Sequence, residues 1–146
     1  MELKQTGMYA IINGDLKEHR IKYTKLEKYK VPNCDAHVDL LYNGNIIFMC
    51  CLNNNDVAGH GRILLNNLIK YADLNNKILK LCAVSSEAMY QDWAEPYQGE
   101  PDWTSQDTED RNNYLYNLNK NNQWLIKYYE GFGFIKEGHI MVRTPQ

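Results

Sequence analysis

Hydrophobic and polar positions along the middle of the chain predict a strand, a loop and a helix in that order. An apolar run of seven residues, 46–52, has the length of a buried strand and is short for a buried helix. It leads through the polar stretch 53–56 into a turn that contains Gly59 and Gly61. Beyond the glycines, apolar residues recur at helical spacing and predict one buried face. These residues are Leu65, Leu68, Ile69 and Ala72.

The N-terminal part of the chain predicts one strand and then leaves two structures open. Residues 7–12 predict a short first strand that ends in a turn at 13–15. Residues 16–30 fit a helix if Asp15 and Glu18 form a capping box, and they fit a strand if their apolar residues alternate. The alternating residues are Ile21, Tyr23 and Lys25.

A hairpin is predicted immediately before the central strand. Residues 31–33 contain a proline and break the preceding segment. Residues 36–42 alternate weakly and predict a strand, and Asn43-Gly44 is a strong hairpin signal. Two antiparallel strands therefore lead into the glycine turn.

A second buried strand and an acidic segment follow the helix. Asn75-Asn76 is expected to end the helix, and residues 78–84 predict a strand that pairs in parallel with the run at 46–52. Residues 87–117 show no clear periodicity and are interpreted as an insertion. Eight acidic residues and no Lys or Arg lie between residues 87 and 110, so this segment would attract a cation.

The C-terminal part predicts a helix and two short strands. A helix is expected from Asn122 to a C-cap at Gly131, with one aromatic and apolar face. That face carries Trp124, Leu125, Tyr128 and Tyr129. Residues 132–135 lead into a strand, Gly138 forms a turn, and residues 140–143 predict the last strand.

The glycine turn has the chemistry of a phosphate site. Glycine lets a ligand approach the backbone, and the N–H groups and dipole at a helix N-terminus attract an anion. A Walker loop is excluded because Ile63 follows Arg62 where Ser or Thr is required. A dinucleotide fingerprint lacks its third glycine, since Leu64 stands there.

Two motifs resemble those of the GNAT superfamily of N-acetyltransferases. Residues 57–65, VAGHGRILL, are similar to the loop of that family which binds the pyrophosphate of acetyl-CoA. Residues 122–134, with Asn122, Tyr128-Tyr129-Glu130 and Gly133-Phe134, resemble the second motif of the family. The resemblance covers residues 36–146 and is weakly closest to the branch that acetylates histones and other protein lysines.

This resemblance implies an α/β (α+β) fold in which a mixed, mostly antiparallel sheet is flanked by helices. The sheet would splay between residues 46–52 and 78–84, where acetyl-CoA, as co-substrate, would enter. Backbone groups of the central strand and the glycine turn, together with one asparagine, would bind the cofactor. The residues so implied are Met49, Cys50, Cys51, Asp56, Val57, Ala58, Gly59, His60, Gly61, Arg62 and Asn122.

The same resemblance implies that Tyr129 is the general acid which protonates the leaving thiolate; a core aromatic residue is the alternative for this position.

The chain departs from the family at two positions. Asn45 stands where the histone-acetylating branch has a catalytic Glu, and Asp56 stands where the pyrophosphate loop has a basic residue or Gln. Asp39 and Glu87 are therefore the candidate bases.

Composition narrows the class of protein. The 146 residues suffice for one domain, with 44% hydrophobic and 23% charged residues, and no apolar run long enough to span a membrane. A net charge of −2 predicts no direct nucleic-acid binding. The N-terminus has no signal core, and the four cysteines suit buried free thiols, so a cytoplasmic protein is expected. The abundance of Asn and Tyr is typical of a protein encoded by an AT-rich genome. Cys34-x-x-His37 is half a zinc motif, so no metal site is expected.

The sequence thus predicts a single GNAT-like domain, residues 1–146, that transfers acetyl from acetyl-CoA to a primary amine. A protein lysine is the first choice of acceptor, and a small polyamine-like amine is the alternative. A catalytically inactive acetyl-CoA-binding protein on the same fold is the alternative from another functional class.

Overall fold

The computed structural model describes residues 3–12, 15–53, 57–83, 101–138 and 140–146. These ranges contain eight strands and two helices. They are β1 (Lys4–Ile12), β2 (Asp15–Tyr23), β3 (Lys25–Lys30), β4 (His37–Asn43), β5 (Ile46–Asn53), α1 (His60–Leu74), β6 (Ile78–Leu81), α2 (Ser105–Glu130), β7 (Ile135–Glu137) and β8 (Ile140–Arg143).

The strands form a mixed, mostly antiparallel sheet and a separate hairpin. Six strands pair in the order β3-β4-β5-β6-β8-β7, while β1 and β2 pair only with each other. Within the larger sheet, β5 and β6 are parallel and every other pair is antiparallel. The predicted class of fold and the parallel pairing across α1 are confirmed. A crossover helix produces that pairing, because it returns the chain to the edge at which β5 began.

The two faces of this sheet are covered by different elements. On the face we call the helix face, Ile47, Met49 and Leu79 pack with both helices in the main core. The buried face of α1 consists of Leu64, Leu65, Leu68 and Ala72, as its spacing predicted, with Leu64 added and Ile69 only partly buried. On the opposite face, called the hairpin face, Ile21 of β2 packs against Leu41 of β4.

The open choice for residues 16–30 is resolved as strands, and no helix begins at Asp15. Register places Ile21 opposite Thr6 of β1, while Lys25 lies opposite Tyr42 of β4. The alternation of apolar residues was therefore the correct indication. As strands, residues 16–30 pair with backbone groups of β1 and β4 that a helix would leave unpaired. The first strand also begins three residues earlier than predicted, at Lys4 rather than residue 7.

The predicted hairpin before the central strand is confirmed. Asn43 pairs with Ile46 across the turn, and Gly44 has the positive φ of 60° that favours glycine. The preceding break is also present, with Asn33 at a φ of 62°.

The second helix is much longer than the sequence indicated. It begins at Ser105, whereas a start at Asn122 was expected, so residues 105–117 are helical rather than irregular. The Thr104 hydroxyl accepts a bond from the Asp107 N–H, and the Asp107 carboxylate accepts one from the Thr104 N–H, which completes a capping box. The pattern of apolar residues did not predict the N-terminal half of α2, because the described side chains of that half are mostly exposed and polar.

The second buried strand is shorter than predicted, since β6 ends at Leu81 rather than at residue 84. Residues 84–100, the larger part of the predicted insertion, lie outside the described residues, as does the predicted turn at 13–14. No helix in the described part of the chain is both long enough and apolar enough to cross a membrane.

A buried ion pair fastens the C-terminal strand to both helices. Arg143 donates from Nη1 and Nη2 to the two carboxylate oxygens of Asp73, at 2.7 and 3.2 Å. Its Nε donates to the Phe132 carbonyl at 2.8 Å, and the Gln146 N–H donates to Asp73 at 3.1 Å. The end of α1, the turn after α2 and β8 are thereby joined through one guanidinium.

Gly133 lies against this guanidinium, and its replacement by Ala should be costly. Its φ of 95° is unfavourable for other residues, and a Cβ would lie 3.3 Å from Arg143 Nε. We expect Gly133→Ala to lower the free energy of unfolding by about 1–3 kcal/mol. Gly138→Ala is the control, since Gly138 has a φ of 63° with nothing within 4 Å of its Cβ. Urea denaturation measures both variants; equal losses would mean that the contact with Arg143 adds nothing to backbone strain.

Candidate functional site

The parallel strands β5 and β6 stop pairing before β5 ends. Their register runs from Ile46 opposite Ile78 to Met49 opposite Leu81. Strand β5 then continues to Asn53, while β6 ends at Leu81. Within the described residues, β5 has no strand partner on this side after Met49. We call the region beside residues 50–53 and 82–83, where the ladder between the two strands has ended, the β5–β6 opening.

Strand β5 carries a bulge on its other edge at the same level. Asp39 of β4 is opposite Cys50, but His37 is opposite Asn53. Cys51 and Leu52 therefore face a single residue, Val38. A bulge leaves one residue outside the ladder of backbone hydrogen bonds.

The N-terminus of α1 follows β5 in the chain and is led by a glycine turn of the kind that can bind an anion; we call it the anion-binding turn. Its N-cap, Gly59, has a φ of 83°, and the Ile63 N–H donates to the Gly59 carbonyl at 3.1 Å. Among the described residues, no side chain caps this end and no acidic residue lies in the first turn. The N–H of His60, the first helical residue, donates to the Val57 carbonyl at 3.3 Å, so the N–H groups of Gly61 and Arg62 are the ones that a ligand would meet. Asp56, which would open this loop, is outside the described residues.

A loop before β4 holds the first residue of α1, a feature that the sequence did not indicate. The Asp35 N–H donates to His60 Nδ1 at 2.9 Å, and the Cys34 thiol approaches the His60 carbonyl at 3.3 Å. Nδ1 of His60 thus serves as an acceptor for this loop, and Nε2 is the ring nitrogen left to face the anion-binding turn.

Tyr129 and Asn122 are buried on one side of α2. Only 9% of Tyr129 and 5% of Asn122 are exposed, and the seven-residue separation of the two places them on the same helical face. The Tyr129 ring makes edge contacts with Tyr128 and Phe134 at 5.4 and 5.7 Å. Burial, with a smaller effect of Tyr128, raises the pKa of Tyr129 to about 12. The phenol is thus protonated at neutral pH and can act as a hydrogen-bond donor.

Arg62 links the anion-binding turn to α2. Its guanidinium carbon lies 5.3 Å from the centroid of the Phe132 ring and 5.7 Å from that of Tyr128. A guanidinium over an aromatic ring is attracted by the face of that ring, so Tyr128 and Phe132 hold the positive charge of Arg62 beside the turn. The turn and the Tyr129 region are therefore neighbours in space, although about sixty residues separate them in sequence.

The candidate acid and one candidate base lie on opposite faces of the sheet. Tyr129 belongs to the main core on the helix face. Asp39 is opposite Cys50, which packs on the hairpin face. Glu87, the other candidate base, is outside the described residues. A thioester in the β5–β6 opening would have Tyr129 on one side and Asp39 on the other.

Asn45 and Cys82 have little catalytic potential in this arrangement. Asn45 lies exposed in the hairpin turn, and its carbonyl accepts the Ile78 N–H at 2.8 Å. It is four residues before Met49, or about 13 Å along the strand from the opening. Burial raises the pKa of the Cys82 thiol to about 11, so this residue is not a thiolate nucleophile at neutral pH.

The cysteines are free thiols where they are described. Cys34, Cys50 and Cys82 are half-buried and form no disulfide, whereas full burial was expected. Among the described residues, no group of three His, Cys, Asp or Glu side chains is placed to hold a metal ion.

Comparison with known protein families, with curated proteins and with solved structures finds no match to this chain.

Proposed function

We propose that this protein is a GNAT-type N-acetyltransferase that transfers acetyl from acetyl-CoA to a primary amine. The observation that carries the proposal is the uncapped, glycine-led N-terminus of α1 placed directly beyond the strand β5, where β5 and β6 separate. Pantetheine would enter the β5–β6 opening, and the pyrophosphate would lie on the backbone N–H groups of residues 57–62. Asn122, buried on α2, would contact the pantetheine arm.

The arrangement of the opening supports direct attack on the thioester. Backbone N–H groups of Met49, Cys50 and Cys51 would stabilise the oxyanion, aided by the bulge in β5. The amine would approach from the hairpin face, with Asp39 as the described candidate base. The thiolate would leave on the helix face and accept a hydrogen bond from Tyr129. A relay through Cys82 is disfavoured because that thiol is protonated.

Tyr129 would act chiefly as a hydrogen-bond donor. A thiol has a pKa of about 8.5, so full proton transfer from a phenol with a pKa of about 12 is uphill by roughly 3–4 units. A donor that strengthens its bond as negative charge develops on sulfur still lowers the barrier. The final proton on the thiol would then come from the ammonium that forms when the neutral amine attacks the thioester carbon, or from solvent.

A cationic amine is the proposed acceptor, and the described acidic residues would attract it only at the far end of α2, about 30 Å from Tyr129 by the rise of the helix. Asp102, Glu109 and Asp110 are exposed before and within the first turns of α2, whereas Asp107 is engaged in the capping box. Exposed negative charge raises the local concentration of cations. A protein lysine is the preferred acceptor and a polyamine the alternative. Acetyl-CoA turnover, followed by thiol release against lysine peptides and small amines, tests the proposal; no turnover with any amine would refute it.

Gly61→Glu should abolish cofactor binding without harming the fold. Gly61 is the second residue of α1, where a carboxylate favours the helix dipole but repels the pyrophosphate. We expect the Kd for acetyl-CoA, measured by calorimetry, to rise by about 100-fold or more, since a lost charged contact costs about 3 kcal/mol.

Asn66→Glu is the matched control for this variant. It adds the same charge at an exposed position of the same helix, one and a half turns farther from the N-terminus. Its Kd should rise far less than that of Gly61→Glu, because the added carboxylate is exposed to solvent and lies about 7 Å farther along the helix from the turn. Unchanged binding in a folded Gly61→Glu variant would contradict the assignment of the anion-binding turn.

The burial of Tyr129 favours one second candidate, a protein that binds acetyl-CoA but does not transfer the acetyl group. A phenol that is 9% exposed can serve packing alone. The two functions differ in one measurement, which is the mass of an incubated lysine peptide or polyamine. A gain of one acetyl group identifies the enzyme, whereas cofactor binding without this gain identifies the non-catalytic protein.

A further inference from the structure

Three aromatic rings follow one another along one side of α2 and the turn after it. Trp124 stacks on Tyr128 with ring centroids 5.5 Å apart and planes at 12°, and Tyr128 meets Phe132 edge to face at 5.1 Å. We call these three residues the aromatic ladder. Its outermost ring, Trp124, is 65% exposed. The exposed indole, backed by a second stacked ring, presents a flat apolar face on which a base can stack.

Arg62 brings positive charge to the inner end of the ladder. Its guanidinium lies over both Tyr128 and Phe132. The Arg62 guanidinium carbon lies 5.7 Å from the centroid of the Tyr128 ring, and the centroid of Trp124 lies 5.5 Å from the same point. The indole and the cation are therefore no farther apart than the sum of these two distances. A stacking surface and a phosphate-binding cation are thus about one nucleotide apart. Arg62 also belongs to the anion-binding turn at the start of α1.

We propose that the aromatic ladder binds the adenine of acetyl-CoA, with the base stacked on Trp124 and Arg62 holding a phosphate of the same nucleotide. This inference rests on the proposed function, because it assigns the nucleotide end of the proposed cofactor. The ligand must be a flat π-system attached to negative charge, and a nucleotide satisfies both requirements. A cationic amine does not, because the guanidinium already occupies the inner rings and would repel a second cation.

The test compares two ligands that differ only at the nucleotide end. Acetyl-CoA carries the adenosine group, whereas acetyl-phosphopantetheine lacks it and keeps the thioester arm. In Trp124→Ala, we expect calorimetry to give a Kd for acetyl-CoA about 5–100-fold higher than wild type, the range for loss of one base-stacking contact. The Kd for acetyl-phosphopantetheine should not change. Trp124→Phe keeps a ring and should recover a large part of the loss.

Tyr116→Ala is the matched control, because Tyr116 is another aromatic residue of α2, 68% exposed and outside the ladder. It should leave both Kd values unchanged. If wild-type protein binds acetyl-CoA and Trp124→Ala binds it equally well, or if both ligands weaken equally, the assignment of adenine is wrong and the proposed function stands. If the wild-type protein binds neither ligand, the proposed function itself is refuted.

Discussion

Tyr129→Phe is expected to lower kcat by about 10²–10⁴-fold, because the substitution removes the donor that would meet the leaving sulfur. The ring and its contacts with Tyr128 and Phe134 are kept, so the Kd for acetyl-CoA should stay within about twofold. Stability should be unchanged or higher, since among the described residues the buried hydroxyl has no hydrogen-bond acceptor. Thiol release sampled at fixed times measures the change in kcat, and thermal unfolding measures the change in stability.

Tyr29→Phe provides the matched control for that experiment. It makes the same chemical change in another half-buried ring that packs against the main core, on β3 and outside the proposed site. Turnover of this variant should stay near the wild-type rate. Full activity of Tyr129→Phe would show that Tyr129 is a core aromatic residue, and an equal loss in both variants would indicate altered packing rather than catalysis. Since the pKa of Tyr129 is about 12, this group should also cause no loss of rate with rising pH below about pH 10.

Asp73→Ala should destabilise the fold more than any other single change considered. The substitution leaves the Arg143 guanidinium, which is 6% exposed, without its counter-charge. We expect the free energy of unfolding to fall by about 2–4 kcal/mol, somewhat less than for a fully buried pair because Asp73 keeps a quarter of its side-chain surface in water. Arg143→Met should lower the free energy of unfolding by less. Water can hydrate the Asp73 carboxylate that is left without its partner, and the apolar Met side chain fills part of the space.

Urea denaturation of these variants, with Glu137→Ala as the exposed control, tests the asymmetry. Glu137 lies on the surface of β7, so its loss should change stability by no more than about 0.5 kcal/mol. Equal losses in Asp73→Ala and Arg143→Met would contradict the argument from unequal burial.

The same ion pair gives stability a defined pH dependence. Arg143 lowers the pKa of Asp73. A carboxyl whose pKa is depressed by folding contributes stability above its unfolded pKa of about 3.9, and the contribution is lost as the pH falls through the folded value. The difference between wild type and Asp73→Ala should therefore be full at pH 7 and shrink progressively below about pH 4.

The sequence by itself determined the parts of this protein that depend on neighbouring residues. The turn at Asn43-Gly44, the strand 46–52 and the buried face of α1 all follow from local spacing and turn chemistry, and each was found where the pattern predicted it. The parallel pairing of β5 with β6 also followed, because a helix between two buried strands returns the chain to the same edge. The glycine turn could be located from these elements alone.

Only the tertiary structure decided features that depend on partners far away in sequence. Residues 16–30 became strands because β1 and β4 offered backbone partners, and the polar half of α2 gave no apolar signal because it packs against little. The bond from Asp35 to His60, the pair of Asp73 with Arg143 and the contact of Arg62 with the aromatic ladder join residues many positions apart. Such contacts leave no periodic trace in the sequence, because each depends on where the whole chain places two side chains rather than on the spacing between them.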